Sequence, residues 1–273
     1  MAAGKRAHWF NFGGAITYDY GIIADASETL VKPVREMEHV SIPGRSGDLT
    51  IDNGRWSNVT VTYHCYCKRA LSSNFTNFLA VLHSKGGIQK LQDSRMSGLF
   101  SNLSVPGCYR MGSLEAAVKA ENVYLSEHCE FDITFNCKPQ LWLNAGDVGV
   151  KINREGEVNY KYIKNPTEFP SKPLVRCYGK GTGSTDATMA KFTVNGRTIM
   201  IANYNNTGGT YVEVDCDICD CFYGAINMNA YMKMQNTDGK FPELGTSLGG
   251  SYCYAYTSSG ADSMIITPRW WTI

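Results

Sequence analysis

Val59-Thr60-Val61-Thr62-Tyr63-His64-Cys65-Tyr66-Cys67 alternates apolar and polar side chains with a period of two. Cys129-Glu130-Phe131-Asp132-Ile133-Thr134-Phe135-Asn136-Cys137 repeats the pattern. Successive side chains of an extended chain point to opposite faces, so each stretch is a strand with one face buried. Alternation of this kind marks an antiparallel sheet lying on a core. Four of the ten cysteines are thereby explained as small apolar residues on the core face.

Outward from these strands, one segment changes period. Phe75, Phe78, Leu79 and Leu82 fall at i, i+3, i+4 and i+7. Ser72, Ser73 and Asn74 offer N-caps and Gly86-Gly87 offers a stop, which predicts a single amphipathic helix. Leu114 to Lys119 reads as a second, short helical turn. Between 138 and 172 the pattern is punctuated by Lys138-Pro139, Gly146, Gly149, Gly156, Asn165-Pro166 and Pro170. A domain boundary is expected inside that region, nearest 140, giving domains 1–140 and 141–273. Residues 141–172 serve as linker or as opening strands of the second domain. Strands follow at Pro173 to Gly179, Tyr211 to Ile218 and Ser263 to Pro268. Lys191 to Ala202 reads as a hairpin on Asn195-Gly196, because both turn positions need positive φ. The expected fold class is mainly β, a β-rich α+β chain. A β domain with one helix precedes an all-β sandwich of two antiparallel sheets.

Composition narrows the function. The chain has 273 residues, with 26 basic against 25 acidic side chains and a net charge of +1. Nucleic acid or an anionic membrane surface calls for a basic excess that is absent. Charged residues make up 19%, and there are 16 Tyr, 11 Phe and 5 Trp. Tyr and Trp concentrate at buried interface centres, so the balance leans toward assembly. Met1 to Arg6 has a basic pair but no apolar segment behind it, so no signal peptide is expected. The longest apolar runs are five residues, such as Phe78 to Leu82; a spanning helix needs about 18. Reduced thiols are the expectation for the cysteines. The four sequons, at Asn58, Asn74, Asn102 and Asn205, then read as chance matches.

Candidate chemistry is sparse. Cys216-Asp217-Ile218-Cys219-Asp220-Cys221 has one Cys-x-x-Cys, but a structural zinc site needs four ligands and no second pair exists. In a strand, Cys216 points inward with Val212 and Val214, away from Cys219; metal and redox roles are the lesser readings beside packing. Gly179-Lys-Gly-Thr-Gly-Ser-Thr185 lacks the Walker spacing and precedes a hairpin rather than a helix N-terminus. Pro43 to Asp48 reads as a tight turn with Arg45 exposed and Ser46 outside any nucleophile elbow. Gly245-Thr-Ser247-Leu-Gly249 matches that elbow, but no helix pattern follows it and no His lies downstream. The histidines at 8, 39, 64, 83 and 128 are scattered. Asp215 and Asp217 are expected on one face of a strand, solvated. The Pro268-Arg-Trp-Trp-Thr-Ile273 ending is expected in the core. No catalytic, cofactor-binding or metal-binding residue is assigned, and no cofactor or enzyme activity is expected.

Two blocks carry a resemblance. The first holds Phe10-Asn-Phe-Gly13, Val40-Ser-Ile-Pro-Gly-Arg-Ser-Gly-Asp-Leu49, Asn53-Gly-Arg-Trp-Ser-Asn58, Leu91-Gln-Asp-Ser94 and Phe131 to Pro139. The second holds Asn165 to Leu174, Tyr178-Gly-Lys-Gly181, Val194-Asn-Gly-Arg197, Phe241-Pro-Glu-Leu244 and Ile266-Thr-Pro-Arg-Trp270. In order and spacing they resemble the distal tail protein (Dit) family of long-tailed phages (siphophages). Family members often carry Gly-Asn after Phe-Pro-x-Leu, where this chain has Gly245-Thr-Ser-Leu-Gly249. The resemblance implies a ring-forming belt domain at 1–140 and a galectin-like β-sandwich at 141–273. It implies a structural baseplate hub: a homo-hexamer joining the major tail tube protein to the tail-associated lysin or tip protein. Receptor-binding or side-fibre proteins are further partners in that picture. DNA passes through without specific binding, and no membrane is involved. The place implied is the virion tail tip, assembled in the bacterial host cytoplasm. The alternative is a carbohydrate-binding accessory module for host cell-wall saccharide, suggested by the Tyr- and Trp-rich second half.

Overall fold

The computed structural model describes residues 8–25, 30–68, 73–115, 118, 120–124, 128–153, 160–179, 189–202, 210–236, 238–246, 253–258 and 261–273. The chain forms two compact units, residues 1–141 with Ile273 and residues 142–272. It is mainly β, with a single α-helix among the described residues.

The first unit contains β1 (Phe10–Phe12), β2 (Ala15–Ile16), β3 (Ile22–Asp25), β4 (Arg35–Val40), β5 (Leu49–Trp56) and β6 (Val59–Lys68). Helix α1 (Ser73–Ser84) follows, then β7 (Gln89–Asp93), β8 (Cys108–Leu114), β9 (Ala120–Tyr124) and β10 (His128–Cys137). Its main sheet runs β2-β1-β7-β8-β10-β6-β3, with β9 also on β10. The two alternating stretches of the sequence are neighbours. β6 and β10 pair antiparallel from His128 opposite Lys68 to Cys137 opposite Val59. On the solvent face the polar residues meet in pairs: Thr62 with Thr134 at 3.1 Å and His64 with Asp132 at 2.6 Å.

The inner face carries the core. Phe10, Phe12, Tyr63, Phe131, Ile133 and Phe135 are buried together with Cys65, Cys67, Cys129 and Cys137. Helix α1 covers them, because Phe75, Phe78 and Leu82 all fall on its buried side. The Phe78 ring lies 6.2 Å from Phe10 and the Phe75 ring 5.1 Å from Phe131. The helix runs out where Gly87 takes a positive φ of 67°. Tyr63 brings a hydroxyl into this core and donates it to Asp93 Oδ2 at 3.0 Å. Asp93 Oδ1 in turn accepts from the backbone N–H of Arg95 and Met96, so the buried carboxylate is fully used. Burial, with the Asp93 charge, pushes the Tyr63 hydroxyl well above its ordinary pKa. The second helical turn expected at Leu114 to Lys119 is not formed at its start. Leu114 closes β8 opposite Phe135, and 116, 117 and 119 lie outside the described residues.

β11 (Leu141–Leu143) straddles the boundary between the units, and the second unit goes on with β12 (Val150–Asn153), β13 (Tyr160–Ile163), β14 (Leu174–Gly179), β15 (Met189–Val194), β16 (Arg197–Ala202) and β17 (Tyr211–Asp215). It continues with β18 (Asp220–Tyr223), β19 (Ile226–Asn227), β20 (Met232–Met234), β21 (Cys253–Ser258), β22 (Ala261–Thr267) and β23 (Trp271–Thr272). Two antiparallel sheets result, β12-β22-β14-β17-β18-β19 and β13-β21-β15-β16-β20. Alternate residues of both are buried: Val175, Cys177, Val212, Val214, Met264 and Ile266 from the first, Phe192, Val194, Ile199 and Ile201 from the second. The Asn195-Gly196 hairpin forms as expected, with φ of 50° and 77° and Val194 opposite Arg197.

One glycine is needed for packing rather than for its dihedrals. A Cβ on Gly146 would lie 2.3 Å from the backbone nitrogen of Trp270, whose ring is buried. Gly146→Ala therefore forces the backbone apart, at a cost of about 1–3 kcal/mol. Denaturant unfolding should show the midpoint falling while the slope is unchanged.

Candidate functional site

β4 and β5 form a sheet of their own, an antiparallel ribbon of two strands. Its register sets Val40 opposite Leu49, Glu38 opposite Ile51, His39 opposite Thr50 and Met37 opposite Asp52. Because faces alternate, Val40, Leu49 and Ile51 share one side with Glu38. All three apolar side chains are more than a third exposed, and so are Met37 and Ile42. Val34, at the foot of the ribbon, is 71% exposed. A two-stranded ribbon is marginal in water by itself. An open apolar face flanked by charge marks a surface that another molecule covers.

Polar contacts hold the ribbon in shape. Arg35 grips Asp52 with Nε at 3.0 and 3.1 Å and with Nη2 at 2.9 Å. Its guanidinium also sits 5.2 Å from the Trp56 ring centre. Asp52 accepts a further bond from the Gly54 N–H at 2.8 Å. The Arg35 hydrogen bonds, then the Gly54 N–H, hold the Asp52 carboxyl below its usual pKa. Arg55 Nε meets Glu36 Oε2 at 2.5 Å. Each exposed pair stabilises little, but the bidentate fork fixes the strand geometry.

The foot of the ribbon is tied down. Ser57 donates its N–H to the Val34 carbonyl at 2.9 Å, and Asn58 Nδ2 donates to Asn136 Oδ1 at 2.9 Å. The buried Arg110 donates Nη2 to the Val31 carbonyl at 2.6 Å and Nη1 to the Pro139 carbonyl at 3.1 Å. Lys32 Nζ donates to the Ile273 carbonyl. At the far end, Pro43 to Asp48 makes the tip, turning on Gly44 and Gly47 with φ of 81° and 84°. Arg45 and Ser46 are exposed there, as a tight turn requires.

The other sequence candidates are dispersed. β17 ends at Asp215 rather than at Ile218, because Cys216 to Cys219 form a turn into β18. Cys216 and Cys221 are buried and Cys219 is exposed, with φ of 61°. Asp215 and Asp217 do not share a strand face: Asp215 ends the strand and Asp217 lies in the turn. Nor is Asp215 solvated. Arg269 donates Nη1 and Nη2 to its two oxygens at 2.7 and 2.8 Å, and the Asp217 N–H adds a bond at 2.9 Å. Burial raises the Asp215 pKa, but the Arg269 and backbone hydrogen bonds outweigh it and leave the group below its ordinary value. A depressed folded pKa gives stability above the unfolded value, about 3.9, that is lost as pH falls through the folded one. Asp215→Asn should therefore melt lower at pH 7, while its melting temperature falls less steeply than wild type below about pH 4.

The ending at 268–273 divides. Trp270 is buried, whereas Trp271 is half-buried, stacked on Phe169 at 4.5 Å and donating Nε1 to the Pro170 carbonyl. Gly179 closes β14, but residues 180–185 of the Gly-rich stretch lie outside the described residues, as do Ser247 to Gly249. His39 pairs with Thr50 at 3.1 Å and the His128 ring lies 5.6 Å from Tyr66. Among the described residues no group of three or more His, Cys, Asp or Glu is placed to hold a metal ion, and no helix is long and apolar enough to cross a membrane. The ribbon and the buried Arg110 escaped the sequence reading. Gly44 and Gly47 flanking a turn between Val40 and Leu49 was the available signal for the ribbon.

No protein-family model and no curated protein matches the chain. Among solved structures it is similar to the Dit protein (gp 19.1) of phage SPP1, described as a paradigm of the hub adsorption apparatus in phages infecting Gram-positive bacteria. The TM-score is 0.63 at 11% identity, over 96% of this chain and 98% of that one. It is also similar to the phage P2 baseplate in its activated conformation, solved with calcium and with strontium. Those TM-scores are 0.52 and 0.53, each at 12% identity over 95% of this chain and 97% of the other. At such identities the likeness is one of fold.

Proposed function

We propose that this chain is a structural subunit of the distal tail of a long-tailed phage, a baseplate hub without catalytic activity. Residues 1–140 act as the belt domain, six copies of which close into a ring, and 141–273 as a galectin-like sandwich. The ring joins the tail tube protein above to the tail-associated or tip protein below, and DNA passes through it without sequence readout. In a virion the protein sits at the tail tip, after assembly in the host cytoplasm.

The observation that carries the reading is the β4–β5 ribbon: stiffened by Arg35–Asp52, anchored at its foot, and apolar on an open face. A ring needs a heterologous contact, in which a projecting element of one copy meets a different surface of the next. The near end-to-end likeness of fold to phage hub proteins supports the same reading.

Light scattering on the full-length protein tests it. The expected mass at high concentration is six times 30.2 kDa, about 181 kDa. A single-copy mass at every soluble concentration removes self-closure and leaves the ring reading without support.

A further inference from the structure

The outer face of the sheet β12-β22-β14-β17-β18-β19 carries an ordered cross-strand row. Strand register sets Lys151 beside Ile265, Ile265 beside Arg176, Arg176 beside Glu213, Glu213 beside Phe222, and Phe222 beside Asn227. The neighbouring row runs Asn153, Ser263, Tyr178 and Tyr211. Each of these residues is at least partly open to solvent, while Val175, Cys177, Val212 and Val214 of the same strands face the core.

Two features stand out at the centre of this face. The Tyr178 and Tyr211 rings have centroids 5.2 Å apart and planes at 45°, a shallow V of two aromatic surfaces. Beside them Arg176 Nε donates to Glu213 Oε2 at 2.6 Å, and its guanidinium carbon lies 5.4 Å from the Tyr211 ring centre. The pairing uses one donor and one acceptor. Both Nη groups of Arg176 and Oε1 of Glu213 therefore keep capacity for a ligand. The fork is held in a fixed plane by its own partner and by the ring beneath it.

We infer that this face is a binding site for a neutral saccharide, with Tyr178 and Tyr211 stacking on a pyranose ring and Arg176 and Glu213 bonding its hydroxyls. A sugar ring presents apolar C–H faces and a rim of hydroxyls that both donate and accept. The site offers the matching set: aromatic planes, free guanidinium donors and a free carboxylate acceptor. The charges of Arg176 and Glu213 cancel, which disfavours a phosphate or a nucleic acid. Arg176 and Glu213 separate Ile265 from Phe222 in the row, so among the described residues this row forms no continuous apolar patch. This inference goes beyond the hub reading and does not depend on it.

Calorimetric titration of the full-length protein tests the site, with maltotetraose, cellotetraose, galactotetraose and chitotetraose as probes. At least one binds with a dissociation constant of about 1 mM or tighter. Tyr211→Ala and Arg176→Gln each weaken that binding about tenfold. Both positions are on the surface, so light scattering on the same samples returns the wild-type mass, and hub failure and site failure are read separately. Absence of binding to all four sugars overturns the site, and so does binding that both variants retain. Capture of a glycerol-phosphate oligomer in preference to every sugar also overturns it, because the site is then an anion site.

Discussion

Leu49→Glu combined with Ile51→Glu should convert the proposed six-copy ring into single chains of 30.2 kDa, with the fold intact. Both side chains are exposed in the single chain and lie on the same ribbon face as Glu38. Surface substitutions of this kind usually change stability by no more than about 0.5 kcal/mol. In the proposed ring they would not be surface substitutions. There, two added carboxylates would have to be buried without a partner at each of six contacts, and juxtaposed like charge costs several kcal/mol per contact. Light scattering reads the mass and thermal melting reads the fold. Ile226→Glu supplies the control, since Ile226 is 61% exposed but lies in the second unit. Loss of the ring in Ile226→Glu, with the ribbon variant still assembled, would move the contact out of residues 1–140.

The second large effect is in the core. Phe135→Ala should destabilise the protein by about 3–5 kcal/mol, because a buried phenyl leaves a cavity that its neighbours fill only in part. Three aromatic partners define that cavity: Phe12 at 4.7 Å, Phe10 at 5.5 Å and Tyr63 at 5.9 Å between ring centres. Typical domain stabilities are about 5–15 kcal/mol, so the loss is a large fraction of the total and should lower the denaturant midpoint markedly. Phe135→Leu, which keeps most of the volume, should recover the larger part of the loss. A Phe135→Ala protein as resistant to denaturant as wild type would mean that the ring cluster is not the keystone of the sheet.

Phe135 was legible in the sequence because one alternating strand displays its whole inner face at once. The same holds for α1, where four apolar residues at helical spacing announce a buried stripe, and for the Asn195-Gly196 hairpin, where turn chemistry is local. What the sequence hid has a common cause. Arg110 carries no local signal of burial, and only the fold brings the Val31 and Pro139 carbonyls to its guanidinium. Asp215 looked solvated because its partner, Arg269, lies 54 residues away. The ribbon was missed because neither of its faces is buried in the single chain. Residues such as Glu36, Glu38 and His39 interrupt the apolar alternation that marks a core strand. The Tyr178, Tyr211, Arg176 and Glu213 cluster likewise exists only in the register of β14 against β17.

The strand order also dictates when the chain can fold. β10 lies between β8 and β6 in the first sheet, yet it is the last of the three to leave the ribosome. β22 lies between β12 and β14 in the second, although it follows them by about a hundred residues. In each unit a central position stays vacant until almost the whole unit has been synthesised. Contacts so distant in sequence close slowly, and the half-built sheets expose strand edges while they wait. Chains cut before residue 137 or before residue 267 lack a strand from the middle of a sheet, not from its rim, and should aggregate rather than persist as smaller folded pieces.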